Sequence, residues 1–117
     1  MLRVMTQEEF EALVATVLDE IPSPFAEALR NVVVTVELHA PPGHGRLYGQ
    51  YHGVPMTAPG QAGVPALPPR ITIFMQPMMW DHPDPADLAT QVRVTVLHEV
   101  GHHLGMDEDQ LERLGYG

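Results

Sequence analysis

The sequence predicts an α+β fold: a small, twisted, mixed sheet of three to four strands, packed by an N-terminal helix and by one long helix near the C-terminal end. Three short segments alternate apolar and polar residues, as half-buried strands do. Two longer segments repeat apolar residues with the 3.6-residue period of a helix. The chain has 117 residues, the length of one domain with a modest core, so we expect a single domain over residues 1–117.

Residues 6–20 are predicted to form the N-terminal helix. Thr6 and Glu9 stand at the spacing of a capping box, in which each side chain bonds the other residue's backbone. The apolar face consists of Phe10, Leu13, Val14, Val17, Leu18 and Ile21. Pro22 ends this helix because proline cannot continue the hydrogen-bond ladder. A second, shorter helix is expected over residues 24–30.

Three strands are predicted where β-branched and aromatic residues alternate with polar ones. They are residues 32–38, 46–52 and 70–76. Gly49 weakens the second strand, since glycine offers the sheet no side chain to pack. After the third strand, an apolar cluster is expected to form core or a lid over the core. Its members are Met75, Met78, Met79 and Trp80.

Two loops connect the strands. The first, residues 39–45, is rich in Pro and Gly and is flanked by His39 and His44. These histidines lack the spacing of a metal-binding motif, so we expect them to be bystanders rather than ligands. The second, residues 54–69, carries five prolines. It is either one wall of a substrate cleft or a stiff surface excursion.

The long helix is predicted to begin after Asp84 and to run to about Leu104. Asp84 is a suitable cap, and Pro85 is tolerated in a first turn, where no backbone donor is needed. The apolar surface comprises Leu88, Val92, Val96, Leu97, Val100 and Leu104. Gly101 costs about 1 kcal/mol against alanine inside a helix. A close neighbour, such as a strand or a bound substrate, would explain its presence.

This helix carries the pattern H-E-x-x-H at residues 98–102. Positions i and i+4 lie on one face, one turn apart, so His98 and His102 can direct two imidazoles at a single ion. Paired nitrogen ligands suit Zn²⁺, although Cu, Fe and Ni also accept imidazole. Glu99 lies beside this face, where a general base can take a proton from water activated by a metal.

The motif continues as x-x-G-x-x-E, which indicates a third ligand. Gly105 can adopt the left-handed conformation that ends a helix and reverses the chain. A reversal there could bring Glu108 back toward the two histidines, and Asp107 and Asp109 are rival ligands. His103 points away from the ligand face, which favours a supporting role or exposure to solvent. Three protein ligands and one open position are typical of a catalytic zinc site.

The extended motif resembles that of the metzincin metallopeptidases. The residues that carry the resemblance are His98, Glu99, His102 and Gly105, with Glu108 where the metzincin pattern has His or Asp. More closely, the sequence is similar to a family of small bacterial proteins that look like minimal, metzincin-like (zincin) zinc metallopeptidases. Segments 31–34, 47–55 and 69–73 also look like that family. The resemblance implies a zincin-like fold with one zinc ion and a peptide or protein substrate.

The implied chemistry is metal-assisted hydrolysis of an amide bond, with Glu99 passing a proton from water to the leaving amine. Tyr51, His82 and Tyr116 are candidates to stabilise the oxyanion, by their chemistry alone. The zincin resemblance also makes the third strand either a sheet edge that pairs with an extended peptide or an ordinary core strand. A second hypothesis is a metal-binding or protein-interaction module that retains the site without turnover.

Composition excludes several other classes of function. The net charge is −9, and the six basic residues are all arginine, which disfavours nucleic acid and anionic membranes as partners. Without cysteine, a metal site must use His, Asp and Glu. The sequence shows neither the apolar core of a signal peptide nor an apolar run of about 18 residues. We therefore expect a cytoplasmic protein with no membrane span.

Overall fold

Eight helices and strands follow one another in the residues that the computed structural model describes, which are 5–44, 47–53 and 68–116. The helices are α1 (Gln7–Asp19), α2 (Phe25–Leu29), α3 (Met75–Asp81), α4 (Pro85–His103) and α5 (Glu108–Arg113). The strands are β1 (Val33–Glu37), β2 (Gly49–His52) and β3 (Arg70–Phe74). The predicted α+β class is confirmed. Most of the predicted proline-rich loop, residues 54–67, and the start of the predicted second strand at residue 46 lie outside the described residues.

The three strands form one mixed sheet in the order β1-β3-β2. β1 pairs with β3 in parallel, with Val36 opposite Ile73, and β2 pairs with β3 antiparallel, with Gly49 also opposite Ile73. β3 is therefore the central strand, and the alternative that it forms a sheet edge is wrong. Sequence alternation cannot distinguish a central strand from an edge strand that buries one face. The antiparallel edge is β2, which packs against α4.

The core lies between one face of this sheet and the helices. Ile71 and Ile73 of β3 are fully buried against the apolar side of α4, and α1 packs across that helix. The buried residues of α1 and α4 include Phe10, Val14, Val17, Leu88, Val92, Val96, Leu97 and Val100. These match the predicted apolar faces. α4 thus packs against both the sheet and α1, and these contacts fix its direction and rotation.

Local signals at helix ends act as predicted. Thr6 and Glu9 form both hydrogen bonds of the capping box at the start of α1. Asp84 accepts hydrogen bonds from two backbone N–H groups at the start of α4. No helix in the described residues is both long and apolar enough to cross a membrane.

The third predicted strand is too long, because its last two residues belong to α3. This helix begins at Met75, directly after β3. Pro77 lies in its first turn, where a missing N–H leaves no helix bond unmade. Met75 and Met78, about one turn apart, are buried, whereas Trp80 is 66% exposed. The methionine cluster is core as expected, and the tryptophan lies outside it.

Candidate metal centre

α4 presents His98 and His102 side by side. Their ring centroids are 4.7 Å apart, and their Nε2 atoms are separated by 3.1 Å. Both rings are partly buried, with side-chain exposures of 20% and 30%. Four residues along a helix make about one turn, so the spacing alone brings the two nitrogens together. The predicted histidine pair is therefore present as a pair.

A tight reversal after α4 brings a carboxylate to these nitrogens. Gly105 has φ 85°, the left-handed conformation predicted for it. Its N–H donates to the carbonyl of His102, and the N–H of Met106 donates to that of Gly101, the two bonds of a Schellman motif. One oxygen of Glu108, Oε1, then lies 3.5 Å from Nε2 of His98 and 3.0 Å from Nε2 of His102.

The close neighbour expected at Gly101 is present, and it is a residue of another helix. A Cβ at this position would lie 2.2 Å from Cδ2 of Leu111, a fully buried residue of α5. Neither a strand nor a substrate makes the close contact. The glycine is the place where α5 packs onto α4, and that packing positions Glu108 at the start of α5. The close approach of α4 and α5 could not be predicted from the apolar periodicity of the sequence.

The rival carboxylates are occupied elsewhere or lie apart. Asp107 caps α5, because its Oδ1 accepts from the N–H of Gln110 at 2.8 Å. Asp109 is exposed and is not part of the histidine cluster. His98, His102 and Glu108 form the one group of three possible ligands found within residues 5–44, 47–53 and 68–116, with donor atoms within 4.8 Å of one another.

The donor set and its spacing fit a metal ion. For tetrahedral coordination with bonds of about 2.0–2.1 Å, neighbouring ligand atoms are separated by about 3.3 Å. The three separations here are 3.1, 3.5 and 3.0 Å. Two imidazoles and one carboxylate leave a fourth position for water or substrate. The exposed side of the cluster, where Glu108 is 67% exposed, gives access to that position.

A backbone carbonyl orients the first histidine. Nδ1 of His98 lies 2.7 Å from the carbonyl oxygen of Tyr116. A hydrogen on Nδ1 donated to this oxygen leaves the Nε2 lone pair directed at the cluster, as outer partners of metal-binding histidines commonly do. The ring of Tyr116 packs edge-on against Phe25 of α2. Tyr116 was predicted only as an oxyanion candidate, and its carbonyl gave no signal in the sequence.

Glu99 lies on the sheet side of the histidine pair and is only 8% exposed. Burial raises the pKa of its carboxyl group, and the charge of Glu108 adds to that effect. His98, His102 and a hydrogen bond from the backbone of Tyr51 act in the opposite direction. A carboxylate with a raised pKa accepts protons more readily near neutral pH, which suits a general base.

Gly49 allows β2 to approach α4 closely at this point. A Cβ there would lie 2.8 Å from Cγ2 of Thr95, 3.3 Å from the carbonyl oxygen of Thr72 and 3.5 Å from Cγ of Glu99. Glycine inside a strand often marks such an approach. The glycine that weakens the strand in the sequence is thus what allows an edge strand to lie beside Glu99.

His103 is buried, in contrast to the alternative of exposure to solvent. It is 6% exposed, and its Nδ1 lies 2.8 Å from the hydroxyl of Tyr51. Burial lowers the pKa of this histidine and raises that of the tyrosine, so both groups are neutral near pH 7. The hydroxyl of Tyr51, predicted as an oxyanion candidate, is engaged by His103.

The other predicted candidates lie away from the cluster. His82 ends α3, where its ring contacts that of Tyr48 at 5.9 Å. His39 and His44 are exposed and are not among the clustered ligands.

A cleft of about 330 Å³ lies beside the metal centre. His98 and Glu99 are among the residues that line it, together with Gly49, the first residue of β2. The remaining lining residues are Leu47, Tyr48, Gln91, Val94, Thr95 and Tyr116. A second, more apolar groove of about 350 Å³ includes Trp80 and Leu88, near the first turn of α4. It contains none of the clustered ligands.

Comparison with known proteins identifies a family and a similar solved structure. The sequence profile of the zincin-like metallopeptidases matches residues 29–117. Among solved structures, a conserved hypothetical protein from Thermus thermophilus is similar, with 28% sequence identity and a TM-score of 0.58. The alignment covers 92% of this chain and 99% of that one. No curated protein matches the sequence. Since the profile spans well over half of the chain and includes the metal centre, this chain belongs to the zincin-like metallopeptidase family.

Proposed function

We propose that this protein is a zinc-dependent peptidase, in which His98, His102 and Glu108 hold the ion and Glu99 is the general base. The observation that carries the proposal is the convergence of three ligand atoms within 4.8 Å, directly beside a buried carboxylate. Family membership supports metal-dependent chemistry. Two nitrogens and one oxygen are a ligand set of catalytic zinc sites.

The chain's own groups prepare this site for hydrolysis. When bound, a zinc ion acidifies a water molecule and polarises the scissile carbonyl group. Glu99 takes the proton from the attacking water and delivers it to the leaving amine. The N–H of Tyr51 restrains the Glu99 carboxylate, and the carbonyl of Tyr116 restrains the ring of His98. Orientation of this kind lowers the entropy lost on reaching the transition state.

The substrate class that we propose is an extended peptide. In an antiparallel pair, backbone groups point alternately toward and away from the partner strand. The carbonyl of Tyr48 points toward β3 and accepts a hydrogen bond from the N–H of Phe74. The N–H of Tyr51 points away from β3, to Glu99. The same alternation turns the backbone of Gly49 outward. A peptide strand added at this edge would place its carbonyl groups beside Glu99 and the metal centre.

The first test measures metal content. Protein purified without an affinity tag should contain about one zinc ion per chain in the wild type and much less in Glu108→Ala. Asp109→Ala is the matched control, because it removes a neighbouring exposed carboxylate on the same helix. Equal metal content in the wild type and Glu108→Ala would rule out Glu108 as a ligand. Absence of bound metal even after zinc is added back would end the catalytic interpretation.

The second test measures hydrolysis of a peptide library by zinc-loaded protein. Glu99→Gln keeps the size and hydrogen-bonding ability of the side chain but cannot accept a proton. It should retain zinc and lose hydrolysis by about 10²–10⁴-fold, the usual contribution of general acid–base catalysis. If wild type and Glu99→Gln hold zinc equally and neither cleaves any peptide, the metal-binding or interaction module becomes the correct description.

A further inference from the structure

Two pairs of residues run along α4 in parallel. His98 and His102 form the first pair and direct their Nε2 atoms at Glu108. Glu99 and His103 form the second pair, also one turn apart, and both contact Tyr51 of β2. Each histidine of the metal centre is therefore followed in the chain by a residue that is tied to the edge strand.

Tyr51 makes these two contacts with different groups. Its backbone N–H donates to the carboxylate of Glu99. Its hydroxyl lies 2.8 Å from Nδ1 of His103, with the ring centroids 5.6 Å apart. The ladder with β3 and the close approach of Gly49 to Thr95 already place β2 beside α4. The two contacts of Tyr51, one helical turn apart on α4, add a restraint at the end of β2 that reaches Glu99.

We propose that His103 and Tyr51 are positioning residues for Glu99. The bond between the two side chains holds β2 on α4, so that the N–H of Tyr51 stays on the Glu99 carboxylate and the outer edge of β2 stays aligned with the metal centre. The inference rests on the proposed function for its effect on catalysis. The geometric part, that the side-chain bond maintains the contact between Tyr51 and Glu99, does not depend on it.

The surroundings of the pair support this role. His103 is 6% exposed and carries an imidazole where an apolar residue would fill a buried helix face. Its ring lies outside the cluster of possible metal ligands, and its Nδ1 is engaged by Tyr51. A polar group buried at this depth is stabilising only while it is hydrogen-bonded. The bond therefore specifies one register of β2 on α4.

The test uses full-length, zinc-loaded protein and begins with amide hydrogen exchange at position 51. Tyr51→Phe removes the hydroxyl but keeps the ring and the backbone N–H. His103→Leu removes the ring nitrogens. Each should speed exchange at position 51 by about tenfold or more, toward the rate in Glu99→Ala, where the acceptor is absent. His103→Asn retains a polar atom near the position of Nδ1 and should restore much of the protection.

Kinetics on a peptide cleaved by the wild type give a second measure. Tyr51→Phe and His103→Leu should each lower kcat by about 10- to 100-fold with KM within about threefold. The double variant should be little worse than either single one, because both remove the same bond. Thr72→Val is the matched control: it removes a hydrogen bond to Thr35 within the same sheet and should leave kcat and exchange at position 51 nearly unchanged.

Unchanged exchange at position 51 in both Tyr51→Phe and His103→Leu would overturn the inference. So would an equal response to Thr72→Val, since the effect would then be a general loss of stability. Exchange decides the geometric part even if the wild type cleaves no peptide. In that case the proposed peptidase function fails, and faster exchange in the two variants still establishes the positioning contact.

Discussion

His98 and His102 lie on a helix of 19 residues that packs against the sheet and against α1, α2 and α3, whereas Glu108 lies at the start of a six-residue helix at the surface. The histidine side of the centre is held by the folding of the whole domain. The carboxylate side depends on one turn, at Gly105, and on the packing of Leu111 against Gly101.

Because of this difference, the two histidines and the carboxylate of the centre should respond differently to changes in α5. The backbone of α4 places His98 and His102 one turn apart whether or not α5 is in place, although the carbonyl of Tyr116, which follows α5, orients the ring of His98. The proposed third ligand, Glu108, reaches the histidines only when α5 packs onto α4, and its side chain is 67% exposed even then. Changes that displace α5 should therefore weaken metal binding while α4 and the two histidines remain intact.

The largest effect on the carboxylate side is expected from Gly101→Ala. The new methyl group would collide with Cδ2 of Leu111 at a nominal 2.2 Å, and because Leu111 is fully buried we expect α5 to move with its side chain. Overpacking of this kind costs about 1–3 kcal/mol. If displacement of Glu108 absorbs that cost, zinc affinity falls by roughly 5- to 150-fold. Competition titration with a chelator of known affinity measures the change, and circular dichroism checks that α4 persists.

The double variant Gly101→Ala/Leu111→Ala provides the control. Shortening Leu111 makes room for the methyl group, so zinc affinity should recover relative to Gly101→Ala although the protein is less stable. Two contacting residues of this kind are expected to behave non-additively. If zinc affinity in the double variant does not recover relative to Gly101→Ala, the contact between α4 and α5 does not position Glu108. The contrast between the two sides of the centre would then be wrong.

A smaller effect is expected from Gly105→Ala. The left-handed conformation costs an L-residue with a side chain about 1–2 kcal/mol, which corresponds to roughly 5- to 30-fold in zinc affinity. Gly43→Ala is matched in strain, because Gly43 has φ 90° and open space around a would-be Cβ. Both variants should lose similar thermal stability, but only Gly105→Ala should lose affinity. Equal affinities in the two variants would show that the turn does not guide α5.

The smallest effect concerns the histidine side and its buried base. Burial raises the pKa of Glu99 above 4.5 in the folded protein. The folded state thus holds this proton more tightly than the unfolded state, and stability falls as pH rises through the interval between the two pKa values. Glutamine does not titrate, so Glu99→Gln should gain stability relative to the wild type as pH increases from 4 to 7.

Thermal unfolding with a chelator present measures this difference. Each 1 kcal/mol corresponds to roughly 4 °C in a domain of this size. If the difference in Tm between the wild type and Glu99→Gln stays constant with pH, burial does not raise the pKa of Glu99. The glutamine variant is a suitable partner for the comparison because the substitution replaces only the carboxyl group of Glu99.

Features encoded over a few residues were predictable from the sequence. The capping box at Thr6, the start of α4 at Asp84 and the turn at Gly105 each depend on neighbours within four residues. The pairing of His98 with His102 follows from helical spacing. The convergence of Glu108 followed from the glycine three residues beyond the motif, since that position can reverse the chain.

Features that depend on distant contacts were not predictable in the same way. The order of the strands places β3 in the centre, and no pattern within β3 distinguishes a centre from an edge. Met75 continues the alternation of Ile71 and Ile73, so the start of α3 was hidden in the period of the strand. The prediction that His103 points away from the ligand face was correct. Its burial was not predictable, because the strand that covers it, β2, lies about 50 residues earlier in the chain.

The bond between Glu99 and the backbone of Tyr51 has a consequence for the solubility of the protein. A sheet edge with open backbone donors is a template on which another chain can add a strand, and such addition leads to aggregation. At β2 one outward donor is already occupied by the Glu99 carboxylate. The strand has only four residues, which leaves a short edge for other chains. The side chain that we assign to proton transfer therefore also narrows the part of this edge that another chain can pair with, and leaves the outward backbone of Gly49 for the proposed peptide substrate.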